Sequence, residues 1–375
     1  MHLYIHLPFC LKKCNYCDFI SYAGIPRGQV RRYLAALFKE MELVAARFQP
    51  RKISTLYLGG GTPSYLSGEE LLDIIERVRN IFGIEEEAEI TLEANPGTLT
   101  PKKLELLRLA GVNRLSLGAQ SFDDALLKAM GRVHQAKDIY QAFYWAREAG
   151  FSNINLDLIY GLPGQTFSQW EDTLNQAIKL YPEHVSTYAL ELSIDTPWGR
   201  RQMLGDLLLP AEEEVLSMYG LACQKLKEAG FEHYEISNFA RLGFKCRHNL
   251  SYWENQDYLG LGAAAASHWR GKRWQNEIAI ENYCRSLEEG KLPVAEEEEL
   301  DRRQKMGETL FLGLRLRKGI SLKEFKDRFG EELMSVYGPE IERLVSSGLV
   351  EIREGRMVIT EKGLPLANEV FLAFV

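Results

Sequence analysis

From Leu3 to Leu192 short apolar or alternating runs repeatedly precede stretches whose apolar residues recur at helical spacing. This is the pattern of βα units around a parallel sheet. Six strands are predicted, at Leu3–Leu7, Ser54–Gly59, Glu89–Ala94, Asn113–Ala119, Asn153–Tyr160 and His184–Leu192. Helices are predicted between them at Gln29–Phe48, Ser67–Phe82, Pro101–Ala110, Ala136–Gly150 and Phe167–Leu180, with Gly111 and Gly150 placed where helices end. Strand side chains alternate between faces, and one face here is polar or small. It carries Thr91, Glu93 and Asn95 on the third strand, Ser116, Gly118 and Gln120 on the fourth, and Asn153, Asn155 and Asp157 on the fifth. A parallel sheet covered on both sides reads instead as continuous apolar runs. The expectation is an α/β fold, an incomplete (βα)6 barrel that encloses a ligand and turns its apolar face to the helices; accidental alternation near loops is the competing reading.

Beyond Leu192 the pattern predicts a helix at Pro210–Gly230, a strand at Phe231–Asn238, and then an aromatic, glycine-rich stretch from Cys246 to His268. The acidic run Glu296–Glu299 either opens a helix, where negative charge is favourable, or forms a solvated surface. Ser321–Phe329, Gly338–Ser347 and Leu349–Glu361 read as helix, helix and a hairpin turning at Glu354-Gly355, which resembles a winged helix. The division expected is a barrel over 1–195, an α+β extension over 196–295 and a winged-helix-like domain over 296–375. Only one cation, Arg343, lies in the second helix of that last unit, which favours packing or partner contact over reading DNA.

At 375 residues the chain exceeds what one core comfortably fills, in line with a second, smaller unit. A net charge of −7 gives no electrostatic footprint for nucleic acid. Met1–Pro8 joins no basic region to an apolar stretch, and no window reaches the roughly 18 apolar residues of a membrane span, so a cytoplasmic location is expected. Of the six cysteines three fall within eight residues, the others being Cys223, Cys246 and Cys284. That distribution points to reduced thiols and metal binding rather than a disulfide scaffold.

The spacing Cys10-x3-Cys14-x2-Cys17 puts three thiolates on one turn after the first strand, at the end of the sheet where α/β sites lie. Structural zinc wants four ligands and would have to recruit His6 or a distant residue. A [4Fe–4S] cluster held by three cysteines leaves one iron open for a chelating small molecule. The motif resembles that of the radical S-adenosylmethionine superfamily, the aromatic Tyr16 included. The resemblance implies a TIM-like radical SAM barrel in which S-adenosylmethionine (SAM) chelates the open iron and an electron from the cluster cleaves its sulfonium to an adenosyl radical.

The run Gly59-Gly-Gly-Thr-Pro63 follows the second strand, where glycines let backbone approach a ligand, and Glu93 ends the third, placed to accept from ribose hydroxyls. Alone, these are also a tight turn and a loop acid. With Tyr4-Ile-His-Leu-Pro-Phe-Cys10, Glu93-Ala-Asn-Pro-Gly97, Ser116-Leu-Gly-Ala-Gln-Ser-Phe122, Gly131-Arg-Val-His134 and Asp157-Leu-Ile-Tyr-Gly-Leu-Pro-Gly-Gln-Thr166, they resemble the oxygen-independent coproporphyrinogen oxidase (HemN) family over nearly the whole chain. The resemblance implies that Tyr4, Gly60 and Glu93 contact SAM. It further implies that Gly61, Thr62, Gln120, Arg132 and Asp157 line the adjoining space, which holds a second such molecule in the oxidase.

Two departures point to the heme-chaperone (HemW) branch: Phe19 stands where the oxidase has a fourth cysteine, and the chain starts nine residues before Cys10. His248-Asn-x-x-Tyr252-Trp253 reproduces that branch's HNxxYW motif. This resemblance implies heme as a further cofactor, with His248 as its candidate ligand within 196–295; a hydrogen-bonded structural histidine is the competing reading. Cys246 is then a second ligand, an attachment point or an inert thiol. The branch implies a heme-acceptor protein and a reductant as partners, with oxidase turnover not expected although porphyrinogen decarboxylation is the alternative activity. Homodimerisation and peripheral membrane contact are compatible with the family, and no amphipathic stretch demands either.

Overall fold

The computed structural model describes residues 1–374. Six adjacent parallel strands form the middle of a twelve-stranded sheet: β1 (His2–Leu7), β2 (Ile53–Gly60), β3 (Ile84–Ala94), β4 (Arg114–Gln120), β5 (Ile154–Tyr160) and β6 (His184–Ala189). Between them run α1 (Arg27–Phe48), α2 (Gly68–Phe82), α3 (Pro101–Ala110), α4 (Asp124–Met130), α5 (Ala136–Glu148) and α6 (Phe167–Lys179). Their starts are written locally. Ser67 and Glu70 form a reciprocal capping box for α2, Thr100 caps α3 ahead of Pro101, and Thr166 pairs with Gln169 at α6.

The apolar face of the sheet, including Leu3, Ile5, Leu56, Leu58, Leu92, Leu115, Leu117, Leu156 and Leu158, is wholly buried against these helices in one core. Each such side chain contributes about 1.5–3 kcal/mol of burial, so the period-two pattern fixes which face turns inward. The opposite face carries Tyr4 and His6, Tyr57, Thr91 and Glu93, Ser116, Asn155 and Asp157 into a lumen. The sheet does not close. Beyond β6 it continues through two short antiparallel strands, β7 (Glu232–Glu235) and β8 (Asn238–Ala240), which follow α7 (Pro197–Met203) and α8 (Glu212–Glu228).

The aromatic stretch after Cys246 folds as α9 (Arg247–Trp253), whose first amides, those of Arg247 and His248, donate 2.9 and 3.0 Å to the Glu89 carboxylate on β3. A buried carboxylate at a helix N-terminus satisfies orphan donors and complements the dipole. Next, β9 (Tyr258–Leu261) pairs parallel to β1, and β10 (Ala266–Trp269), β11 (Lys272–Asn276) and β12 (Val294–Glu299) extend that edge antiparallel, with α10 (Ile280–Glu288) between the last two. Glu296–Glu299 therefore opens no helix. The run is an edge strand because its carboxylates face the cations of β11, Lys272 with Glu299 at 3.2 Å and Arg273 with Glu298 at 2.7 Å.

The next helix, α11 (Arg302–Gly313), is capped by Asp301 instead and begins a second core that runs from Met306 to Phe374. It contains α12 (Leu322–Phe329), α13 (Leu333–Ser346, bent at Tyr337 ahead of Pro339), the hairpin β13 (Val350–Arg353) and β14 (Arg356–Ile359), and α14 (Ala367–Leu372). The hairpin turns at Glu354 and Gly355, both at positive φ as a two-residue turn requires. No helix among the described residues is long and apolar enough to cross a membrane.

Candidate functional site

The C-terminal ends of the six parallel strands open into a cavity of about 790 Å³, within the range of small-molecule sites. The cysteine loop lies across it. Phe9–Cys10 pairs with Tyr22–Ala23, which closes the loop at its base, while the Asn15 amide donates to Met130 O at 2.9 Å and the Trp198 amide to Asn15 O at 2.9 Å, which anchor its tip. Cys10, Cys14 and Cys17 are all free thiols on the cavity wall. Burial pushes the Cys17 thiol up to about 11 and Cys10 in the same direction.

Three soft donors on one loop fit an iron–sulfur cluster better than a lone tetrahedral ion. His6, the nearest recruit for zinc, has both ring nitrogens engaged, by the Tyr4 hydroxyl at 3.0 Å and Ile20 O at 2.8 Å. Among the described residues no three His, Cys, Asp or Glu side chains crowd closely enough to clasp a single metal ion.

Beside the loop the glycine run passes so close that side chains are barred. A Cβ on Gly60, which has φ +113°, would meet the His6 ring at 2.7 Å, and one on Gly61 would meet Phe9 O at 2.8 Å and Cys10 Sγ at 3.0 Å. Thr62 Oγ1 lies 3.6 Å from Cys10 Sγ. Glu93 accepts from the Tyr57 hydroxyl at 2.8 Å and from the Gly60 amide at 3.2 Å. Burial, with the Asp157 charge adding to it, pushes the Glu93 carboxyl up to about 7, against the Tyr57 bond.

Asp157 accepts from Ser116 Oγ at 2.9 Å and Asn155 Nδ2 at 2.8 Å, and burial raises it as well. Arg132 donates to Gly118 O at 2.7 Å and reaches Cys14 Sγ at 3.5 Å, with its Nε buried and unbonded. Gln120 takes φ 67°, a strained value for a non-glycine residue, at the cavity end of β4. Tyr16 packs on Trp198 with ring centroids 6.1 Å apart.

The structure thus brings Cys10, Cys14, Tyr16, Cys17, Gly60, Gly61, Thr62, Glu93, Gln120, Arg132 and Asp157 onto one cavity wall. Tyr4 and His248 are not on it. Tyr4 stands below Gly59, its hydroxyl on His6. His248 is buried in α9 beneath the floor, with Nδ1 on Thr55 Oγ1 at 2.7 Å, Nε2 on the Tyr252 hydroxyl at 2.9 Å, and its ring stacked on Tyr57. Ligation of heme iron by His248 requires one of those bonds to be given up and the ring to leave the floor. Cys246 is fully buried against Glu89, and burial pushes its thiol up to about 12, which leaves it unreactive.

The sequence reading missed Tyr57, Tyr188 and Arg315 and the segment from Leu364 to Phe371, all of which line the cavity. Tyr57 was open to discovery, since it shares the period-two face of Gly59. Tyr188 lies on β6, two residues from Ser186 on the same face, and was equally open to it; Arg315 and the Leu364–Phe371 segment belong to the unit built on the second core, and no local pattern joins that unit to the barrel mouth.

Residues 4–177 match the model of the radical SAM superfamily and residues 300–366 that of the HemN C-terminal domain. The chain is 39% identical over 373 residues to heme chaperone HemW of Bacillus subtilis, covering 99% of this chain and 98% of that one. It is 36% identical over 374 residues to heme chaperone HemW of Lactococcus lactis, covering 99% and 96%. Among solved structures, coproporphyrinogen III oxidase (HemN) from Escherichia coli, a radical SAM enzyme, superposes with a TM-score of 0.88 at 25% identity, covering 100% of this chain and 89% of that one.

Proposed function

Because the chain belongs to the HemW family within the radical SAM superfamily, we propose that it binds heme and hands it to an acceptor protein while carrying a [4Fe–4S] cluster chelated by SAM. The observation that carries this is the meeting, in one cavity, of three free thiols from one loop and a wall that continues well past the polar end at Glu93 and Asp157. When bound, the cluster and SAM supply one-electron reductive chemistry, for which an electron-donating protein is the second partner.

The chain's own residues bind and orient. Cys10, Cys14 and Cys17 hold the cluster, and the backbone of Gly60 and the Glu93 carboxylate receive SAM, with Tyr4 setting the layer beneath. Thr62, Gln120, Arg132 and Asp157 shape the neighbouring space. Phe19, which is 66% exposed at the cavity rim, puts an apolar ring where the oxidase has its extra cysteine.

The test is anaerobic reconstitution followed by two assays. Stoichiometric uptake of hemin that persists in the triple cysteine variant supports the reading, as does the absence of turnover with coproporphyrinogen III. Formation of protoporphyrinogen IX would reject it in favour of the oxidase.

A further inference from the structure

One partly buried cation on the cavity wall, Arg315, makes no side-chain hydrogen bond among the described residues. Arg315 follows α11, and its guanidinium carbon lies 4.4 Å from the centre of the Trp253 ring and 5.6 Å from that of Phe371. Its Nε is buried and unbonded. The opposing charges that it feels, Glu235 and Glu191, form no ion pair with it, and Glu235 spends its oxygens on the Asn238 amide group and the Ser237 backbone amide. The guanidinium thus lies against two aromatic rings while its N–H donors are left for something else. Placing a half-buried guanidinium without an acceptor costs free energy that an incoming anion offsets.

The wall around that cation differs from the polar end at Glu93 and Asp157. Ile159, Tyr188, Leu190, Leu216, Leu364 and Phe371 line the cavity there beside Glu191 and Asn368, contributed by β5, β6 and the loop that follows, α8, and the C-terminal segment. A ligand that suits both features is flat, apolar over its faces and carboxylated at one edge. SAM also carries a carboxylate, but its sulfonium, ammonium and ribose hydroxyls suit the polar end at Glu93 and Asp157 rather than an apolar wall. We propose that Arg315 receives a side-chain carboxylate of heme whose ring lies on this apolar wall, and that Trp253 holds the guanidinium plane in position. The proposal rests on the heme reading above. It gives α9 two jobs, since His248 stacks on the Tyr57 that bonds Glu93 while Trp253, five residues on, lies against the cation. Planar, bidentate recognition of a carboxylate is what arginine does better than lysine.

The test is a spectrophotometric titration of the full-length protein with hemin and with hemin dimethyl ester, which keeps the ring and lacks both carboxylates. The wild type is expected to prefer hemin by at least about tenfold. Arg315→Gln is expected to bind hemin at the level of the ester, Arg315→Lys to recover part of the preference, and Trp253→Leu to lose part of it; far-ultraviolet dichroism reports that each variant is folded. A variant Arg315→Gln that keeps the wild-type preference overturns the assignment of Arg315 and leaves the heme reading standing. A fall in SAM affinity in Arg315→Gln with the hemin preference intact assigns the cation to that cofactor's carboxylate and overturns it too. A wild type that takes up neither porphyrin removes the heme reading and this inference with it.

Discussion

His248 and Tyr57 stack, ring centroids 5.0 Å apart and planes inclined by 29°, and the hydroxyl of Tyr57 donates 2.8 Å to Glu93. A histidine beneath the floor is thereby connected through one aromatic ring to the carboxylate expected to hold ribose. With both ring nitrogens bonded and burial holding it down to about 3, His248 stays neutral at any working pH.

Tyr57→Phe leaves Glu93 one charge-assisted hydrogen bond short, and SAM affinity, followed by calorimetry under nitrogen, should fall about tenfold. His248→Ala should weaken SAM several-fold through the same ring while hemin uptake persists. Loss of hemin uptake with SAM binding intact would show instead that His248 serves the porphyrin.

The glycine run makes a sharper demand. Gly60→Ala sets a methyl group against the His6 ring and keeps a φ that costs an L-residue on the order of 2 kcal/mol. The variant should reconstitute with less iron and melt lower than wild type, whereas Gly24→Ala, also at positive φ but with open space around it, should lose stability without losing iron. Equal iron content in both variants would contradict a close approach at Gly60.

Glu40 gives a pH signature. Wholly buried on α1, it accepts from the Gly262 amide at 2.7 Å, Asn276 Nδ2 at 2.6 Å and the Tyr283 hydroxyl at 2.6 Å, and burial still pushes it up to about 7. A carboxyl raised on folding contributes stability that is complete below its unfolded value, near 4.5, and is lost as pH rises to about 7. The melting-temperature gap between wild type and Glu40→Gln should therefore be more in favour of wild type at pH 5 than at pH 8. A gap that stays constant or widens towards pH 8 would refute the assignment.

The barrel was legible because its physics is local. Alternation along β3, β4 and β5 separates leucines that face helices from the Glu93, Ser116 and Asp157 side chains that face the lumen, and the caps at Ser67, Thr100 and Thr166 mark where helices begin. The spacing of Cys10, Cys14 and Cys17 marked the loop, while its reading as a cluster site came from the resemblance and not from the spacing. For Glu296–Glu299 the solvated surface was legible but the strand was not, because nothing in an acidic run announces the cations of Lys272 and Arg273 across the ladder. The part played by Arg315 was hidden for the same reason, since its partners Trp253 and Phe371 lie far off in sequence and meet only when the second core packs over the barrel.

The central claim is that three thiolates hold a cluster with one iron free for SAM. Mössbauer spectroscopy of anaerobic protein reconstituted with enriched iron tests it most directly. A [4Fe–4S] spectrum in which a single iron site changes when SAM is added is expected, with no such change in Cys14→Ala. Tetrahedral zinc bound by the loop, or a cluster indifferent to SAM, would contradict it.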